Sequence, residues 1–332
     1  MTSIAVDAMG GDHAPLEIIH GAVLAAQEFD VSIKLIGPES ILQKELQKYS
    51  INSLSIDIIP ASDVIPMGEH QPASAVRKKP NSSIVVAMNE VAKGNAGGIV
   101  AAGSTGAATA AALFCLKRIP GIERPCIAAV MPTMKRPVVL ADAGANLETT
   151  KNQMVQNAIM GKALYKALFK EENPRVGLLN VGEEEGKGTS LLKDVYQELK
   201  KEKMLNFIGN VQGRDVPEGD CDVCVCDGFA GNVFLKTTEG VAKMVVTLLR
   251  NELTRDVKSK VGAILAHDSF YRLRKRIDYS EYGGAQLLGV KGVCVIAHGS
   301  SQHIAIKNAI KVAKEAVEAN IVGLTEDMVR NY

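Results

Sequence analysis

Short apolar runs, each closed by a glycine-rich turn and followed by a longer amphipathic stretch, recur along this 332-residue chain. That rhythm is the strongest constraint on what it folds into. Strands are expected at 3–8, 32–36, 55–59, 98–102, 138–141, 176–180, 222–226 and 293–297. Several of these runs are apolar at every position, the pattern of strands covered by helices on both faces. Helices are expected between them at 15–29, 82–93, 105–116, 151–169, 190–200, 231–253 and 302–320. Such alternation predicts a three-layer αβα fold around a mostly parallel sheet. The whole chain reads as one catalytic α/β unit, with two lobes around a cleft as a variant of it.

Composition narrows the function classes. Hydrophobic residues make up 46% and charged residues 23% of the chain, an ordinary globular balance. The net charge of +1 gives no global support for nucleic-acid binding. The opening residues lack a signal-peptide pattern and no apolar run is long enough to span a bilayer, so a soluble cytoplasmic protein is expected. Cys221, Cys224 and Cys226 have no second C-x-x-C to complete a metal site and read better as small buried hydrophobes. Neither a metal nor a cofactor is expected.

Ligands of open α/β sheets collect where strands end and helices begin. Six of the expected strand ends carry small residues among Asp, Asn, Ser, Thr, His or Lys, and on one edge they would form a cleft for an anion. They hold Asp7, Ser104-Thr105-Gly106, Asp142 with Asn146, the 180–189 loop, Asp227 with Asn232, and His298 with Ser300. The 180–189 loop is not a Walker A motif, because Gly182 and Gly186 enclose three residues and Gly188 follows Lys187. It reads either as an anion cradle, with Lys187 and a helix N-terminus supplying positive charge, or as an exposed turn capped by Thr189. Ser104, Thr105 and Asn232 have the same two readings, phosphate or oxyanion contact against helix cap. His298 is either a general acid or a structural histidine. No G-x-S-x-G elbow or G-x-G-x-x-G fingerprint is present.

Residues 255–277 stand apart as a basic amphipathic segment with seven basic residues against two acidic ones. Val261, Ile264 and Leu265 are expected at a projecting tip continuing the preceding helix. Arg272, Arg274, Lys275 and Arg276 follow them. An anionic membrane surface, an acidic partner protein or a dimer contact would each use this composition.

The ordered set IAVDAMGGDHAP, AGSTGA, DAGAN, NVG with EGKG, DGFAGN, YGGAQLLG and AHGSS covers nearly the whole chain. It resembles the phosphate acyltransferases of bacterial phospholipid synthesis, the PlsX family. The resemblance implies a homodimer with a fold similar to isocitrate and isopropylmalate dehydrogenases and to phosphotransacetylases. It implies transfer of an acyl group from acyl carrier protein to inorganic phosphate, and an acyl phosphate used next by a membrane glycerol-3-phosphate acyltransferase. Peripheral membrane association is also implied. In that reaction Lys187, Ser104, Thr105 and the glycine N–H groups at 106, 182 and 186 are expected to hold phosphate. Asn180 and Asn232 would polarise the thioester carbonyl, and Asp227 would orient Lys187 or Asn232. Asp7, Asp142, Asn146, His298 and Ser300 are expected elsewhere in the cleft. Competing readings are a nicotinamide- and metal-dependent hydroxyacid dehydrogenase, a short-chain phosphotransacetylase using coenzyme A, and a non-enzymatic membrane scaffold.

Overall fold

The computed structural model describes residues 1–277 and 283–332, with the backbone alone at 274–277. Among the described residues, eleven strands form one sheet. In chain order they are β1 (Thr2–Asp7), β2 (Val31–Gly37), β3 (Ile56–Pro60), β4 (Gly98–Ala101), β5 (Cys126–Met131), β6 (Val138–Ala141), β7 (Arg175–Leu179), β8 (Asn206–Val211), β9 (Val223–Val225), β10 (Ala285–Leu288) and β11 (Val293–Ile296). Their spatial order is β3-β2-β1-β4-β11-β10-β5-β6-β9-β7-β8. Every expected strand is present, and the α/β class follows as read. Three strands were not foreseen: β5, β8 and β10.

Two of those three change the architecture. β10 is antiparallel to β11 and to β5, and β5 is antiparallel to β6, whereas the pairs on either side of this junction are parallel. The sheet therefore consists of two parallel blocks running in opposite senses. The loops after β1, β4 and β11 leave one edge of the sheet, and the loops after β6, β9 and β7 leave the other. The expectation that all six polar loops share one edge is thus corrected. The missed antiparallel strands reverse the second block.

Helices cover both faces. One core cluster packs α1 (Leu16–Glu28), α6 (Lys151–Phe169) and α11 (His303–Glu318) against the sheet. The other lies beneath α4 (Ser83–Ala92) and α5 (Thr105–Cys115), and includes Cys221, Cys224 and Cys226. Caps set the helix starts. Thr150 and Gln153 make a reciprocal capping box on α6. Asp227 accepts the Ala230 N–H at 2.8 Å and begins α8 (Gly228–Leu253), so this helix starts earlier than expected.

The expected continuation of that helix to residue 266 is also corrected. Thr254 bonds its hydroxyl to the Arg250 carbonyl at 2.9 Å, closing α8. Asp256 then accepts the Ser259 N–H at 2.8 Å and starts a separate helix, α9 (Val257–Leu265). A further helix, α10 (His267–Ile277), follows. Only Gly228 and Gly231 of α8 are buried, and no residue of α9 is. None of the described helices is long and apolar enough to cross a membrane.

Candidate active site

On the face of the sheet shared by α5 and α8 lies a cleft of about 820 Å³. Its floor begins with alternate residues of β5, Ile127, Ala129 and Met131, which the pleat turns to one side. Ala285 of β10 and Ile296 of β11 extend it. Thr105, His298 and Ser301 stand on one wall; Asn232, Leu235, Lys236 and Glu239 of α8 stand on the other. Because β5 runs through the junction between the two blocks, the cleft draws residues from both edges of the sheet.

The α8 wall is held in place by backbone contact. A β-carbon at Gly228 or Gly231 would collide with the carbonyl oxygen of Asn146 or Asp142, respectively. Only glycine lets the helix start against that loop. The loop itself is shaped by the fully buried Asp142. Its carboxylate accepts the N–H groups of Ile127, Gly144, Ala145 and Asn146 and the Asn146 amide, all at 2.9–3.1 Å. Asp142 and Asn146 are thus scaffold, and they set Gly144, whose position under Asn232 leaves little room for a side chain. Gly144 adopts φ +132°, a conformation open to glycine.

On the opposite edge, Asp7 is buried at the end of β1 and accepts the Met9 N–H at 3.2 Å. Burial pushes its pKa up against the lowering hydrogen bonds from Ser83, Met9 and Gly10. A β-carbon on Gly10 would stand 2.8 Å from both an Asp7 carboxylate oxygen and the Gly103 nitrogen. Asp7 therefore holds its own loop, whose Gly10 packs against Gly103 ahead of α5. Ser104 caps α5 through the Ala107 N–H at 3.4 Å, while Thr105 and Gly106 at the first turn are exposed and Thr105 reaches the cleft. His298 lines the cleft with Nδ1 2.8 Å from the Ser300 hydroxyl; Ser300 supports it from outside the lining.

The 180–189 loop follows β7, beside β9, and does not line the cleft. Asn180 is buried, donating its amide to the Lys187 carbonyl at 3.2 Å and to Asn210 at 3.1 Å, and accepting the Val181 N–H at 2.8 Å. It braces its own loop. Lys187 is exposed, 3.8 Å from Glu184, and Thr189 caps α7 (Ser190–Lys201). Gly182 and Gly186 lie in the same loop, outside the lining. Asp227 caps α8, as above. The structure thus gathers Thr105, Asn232 and His298 at the cleft and leaves Lys187 and Asn180 on a neighbouring loop.

Sequence reasoning missed Lys236 and Glu239, which form an ion pair at 2.8 Å on the cleft face of α8. Their signal was available: Asn232, Lys236 and Glu239 follow the i, i+4, i+7 spacing of one helical face. Arg272 is exposed and bonds Ser269 at 3.1 Å. The side chains of Arg274, Lys275 and Arg276 lie outside the described residues, as does Tyr282 of the YGGAQLLG motif.

This architecture is similar in fold to that of phosphotransacetylases. A phosphotransacetylase from Streptococcus pyogenes matches it with a TM-score of 0.63, covering 96% of this chain and 94% of that one, at 15% identity. At that identity the likeness is one of fold. The sequence goes further: residues 2–323 match the family described as fatty acid synthesis protein, the PlsX family, and the chain belongs to it. A phosphate acyltransferase of Desulforamulus reducens is 49% identical over 331 residues, covering 100% of this chain and 98% of that protein. One from Halothermothrix orenii is 46% identical over 328 residues, 98% of each chain. The protein is an acyltransferase.

Proposed function

We propose that this enzyme transfers a long acyl group from acyl carrier protein to inorganic phosphate, supplying acyl phosphate for phospholipid synthesis by a membrane acyltransferase. The observation that carries this reading is the composition of the cleft. An apolar floor of Ile127, Ala129, Met131, Ala285 and Ile296 lies beneath a few polar groups, Thr105, Asn232, Lys236 and His298. A volume of 820 Å³ falls high in the range of about 300–1,000 Å³ that encloses sizeable ligands, and far exceeds the needs of an acetyl group. That favours a long acyl chain over a short-chain phosphotransacetylase.

The chemistry asks little of any one side chain. A phosphate oxygen attacks the thioester carbonyl, the C–O bond forms, the C–S bond breaks and the thiol leaves. Inorganic phosphate is nucleophilic at neutral pH, and a thiol with a pKa near about 8.5 leaves readily. The site must therefore bring the partners together and hydrogen-bond the developing oxyanion. Asn232 is positioned for the second task by the glycine contacts of α8. Lys236, one turn along α8 from Asn232, is suited to phosphate, with Lys187 as a second cation on the adjoining loop. The reading is tested by offering the same long acyl group on acyl carrier protein and on coenzyme A in the presence of phosphate. Acyl phosphate, trapped as a hydroxamate, is expected chiefly from the carrier protein. Equal use of the two, or preference for acetyl-coenzyme A, rejects it.

The exposed surface supports a membrane-facing homodimer. On α8, Val241, Met244, Val245 and Leu248 are each about half exposed, an apolar band suited to a second copy of the chain. On α9, Ile264 and Leu265 are 74% and 84% exposed, with Val261 and Val257 beside them and Lys258 and Lys260 on the same short helix. Such a tip fits shallow insertion among anionic headgroups.

A further inference from the structure

Two alanines adjoin in the middle of the cleft floor. β10 and β5 pair antiparallel with Gln286 opposite Ala128 and Leu287 opposite Ile127, so one step further along the same register places Ala285 opposite Ala129. On its other side Ala285 pairs with Ile296. Ala129 and Ala285 both line the cleft, flanked along β5 by Ile127 and Met131 and across the row by Ile296. Small side chains side by side among large ones leave a notch. Ala242 of α8 also lines the cleft.

The surroundings of the notch say what it holds. The track it belongs to runs along β5 from Ile127 to Met131, about 13 Å at strand rise. Beyond Met131 the lining continues through Pro132, Thr133 and Met134. Met134 is 67% exposed, so the apolar track opens to the surface at that end. Asn232 and Gly144 line the opposite end, by the start of β5. Thr105 and His298, which follow β4 and β11, line the cleft at the Met131 end, so an apolar strip joins two polar ends and can hold an extended hydrocarbon chain whose polar head sits beside Asn232.

We infer that the Ala129–Ala285 notch receives the acyl chain and sets the longest acyl group the enzyme accepts. The inference rests on the acyl-transfer reading above. It assigns these two alanines as specificity-determining residues. Filling the notch excludes the methylenes beyond it, and each methylene denied burial weakens binding by about fourfold. The loss therefore grows with chain length, whereas a general disturbance of the site lowers all substrates alike.

The test uses the full-length protein with Ala129→Phe, and with Ala285→Leu as the milder change at a partly buried position. Titration with fatty acids from octanoate to palmitate reads chain binding without turnover, and kcat/KM for octanoyl- and palmitoyl-carrier protein reads it with turnover. In the native protein affinity is expected to rise with length. In whichever variant folds, the palmitate-to-octanoate affinity ratio and the corresponding kcat/KM ratio are expected to fall at least tenfold. Ratios unchanged from the native protein overturn the inference, even if absolute activity drops. Native protein that binds fatty acids in this graded, notch-dependent way but forms no acyl phosphate would instead reject the reaction and leave the notch standing.

Discussion

Gly231 packs its α-carbon directly against the carbonyl of Asp142, with no space between them for a β-carbon. This contact ties the start of α8, and with it Asn232 and Lys236, to the loop that ends β6. A β-carbon at Gly231 would lie 1.9 Å from that oxygen, so Gly231→Ala must push the helix away by more than one ångström. Overpacking of this kind costs about 1–3 kcal/mol, and a misplacement of about 1 Å at a reacting group costs on the order of a hundredfold in rate. We expect kcat/KM to fall about a hundredfold while a folded protein survives in urea titration. Retention of full activity would separate the α8 wall from the chemistry.

Two lysines are available for phosphate. Lys236 faces the cleft beside Glu239, and Lys187 stands on the adjacent loop beside Glu184. Removing a charge-assisted contact costs about 1.5–3 kcal/mol, or roughly ten- to a hundredfold. The lysine that binds phosphate is the one whose alanine variant raises the KM for phosphate by that factor, and we expect this for both Lys236→Ala and Lys187→Ala. A phosphate KM unaltered in Lys187→Ala makes its loop an ordinary turn.

Acid stability has a defined source at the far side of the sheet. Asp222 is 2% exposed and accepts from the Arg175 backbone N–H at 2.8 Å and from its guanidinium at 3.0 Å through both Nε and Nη2. Burial raises the Asp222 pKa, but these Arg175 bonds outweigh it and hold the carboxyl below its ordinary value. A lowered folded pKa means stability that is complete above the unfolded value, near about 3.9, and is lost as pH falls through the folded one. Asp222→Asn should cost about 3 kcal/mol at neutral pH and flatten the acid limb of the stability curve. An acid limb as steep as in the native protein would place its origin elsewhere.

The α9 tip separates membrane contact from subunit contact. Ile264→Glu with Leu265→Glu places two charges where the apolar tip would enter a bilayer. Sedimentation with anionic liposomes should disappear while soluble turnover and dimer mass persist. Undiminished sedimentation rejects membrane insertion, and a monomeric product would make the tip a dimer contact.

Much of this was legible in the residues. The parallel strands β4, β6, β9 and β11 announce themselves as apolar runs, and Asp227-Gly228-Phe229-Ala230-Gly231-Asn232 marks the start of α8 because both glycines are demanded by contact. β5 was less visible, although its six residues lie between Pro125 and Pro132, because no glycine-rich turn marks it. β10 is four residues long and sits inside a motif valued for its glycines. Without these two antiparallel strands the reversal of the second block is invisible, and all polar loops fall on one edge. The same omission hid the cleft floor. Polar residues attract attention at strand ends, whereas Ala129 and Ala285 acquire meaning only through cross-strand register. Asn180, Ser104 and Asp142 show the converse: each has the chemistry of a site residue, yet local hydrogen bonds engage it in bracing a loop or capping a helix.

Mass spectrometry of the product formed from oxygen-18-labelled inorganic phosphate and palmitoyl-carrier protein tests the central claim most directly. Attack by a phosphate oxygen on the thioester predicts palmitoyl phosphate retaining all the phosphate label, formed in step with free carrier thiol and only when phosphate is present. Thiol release that proceeds equally without phosphate and yields palmitate alone would contradict the account.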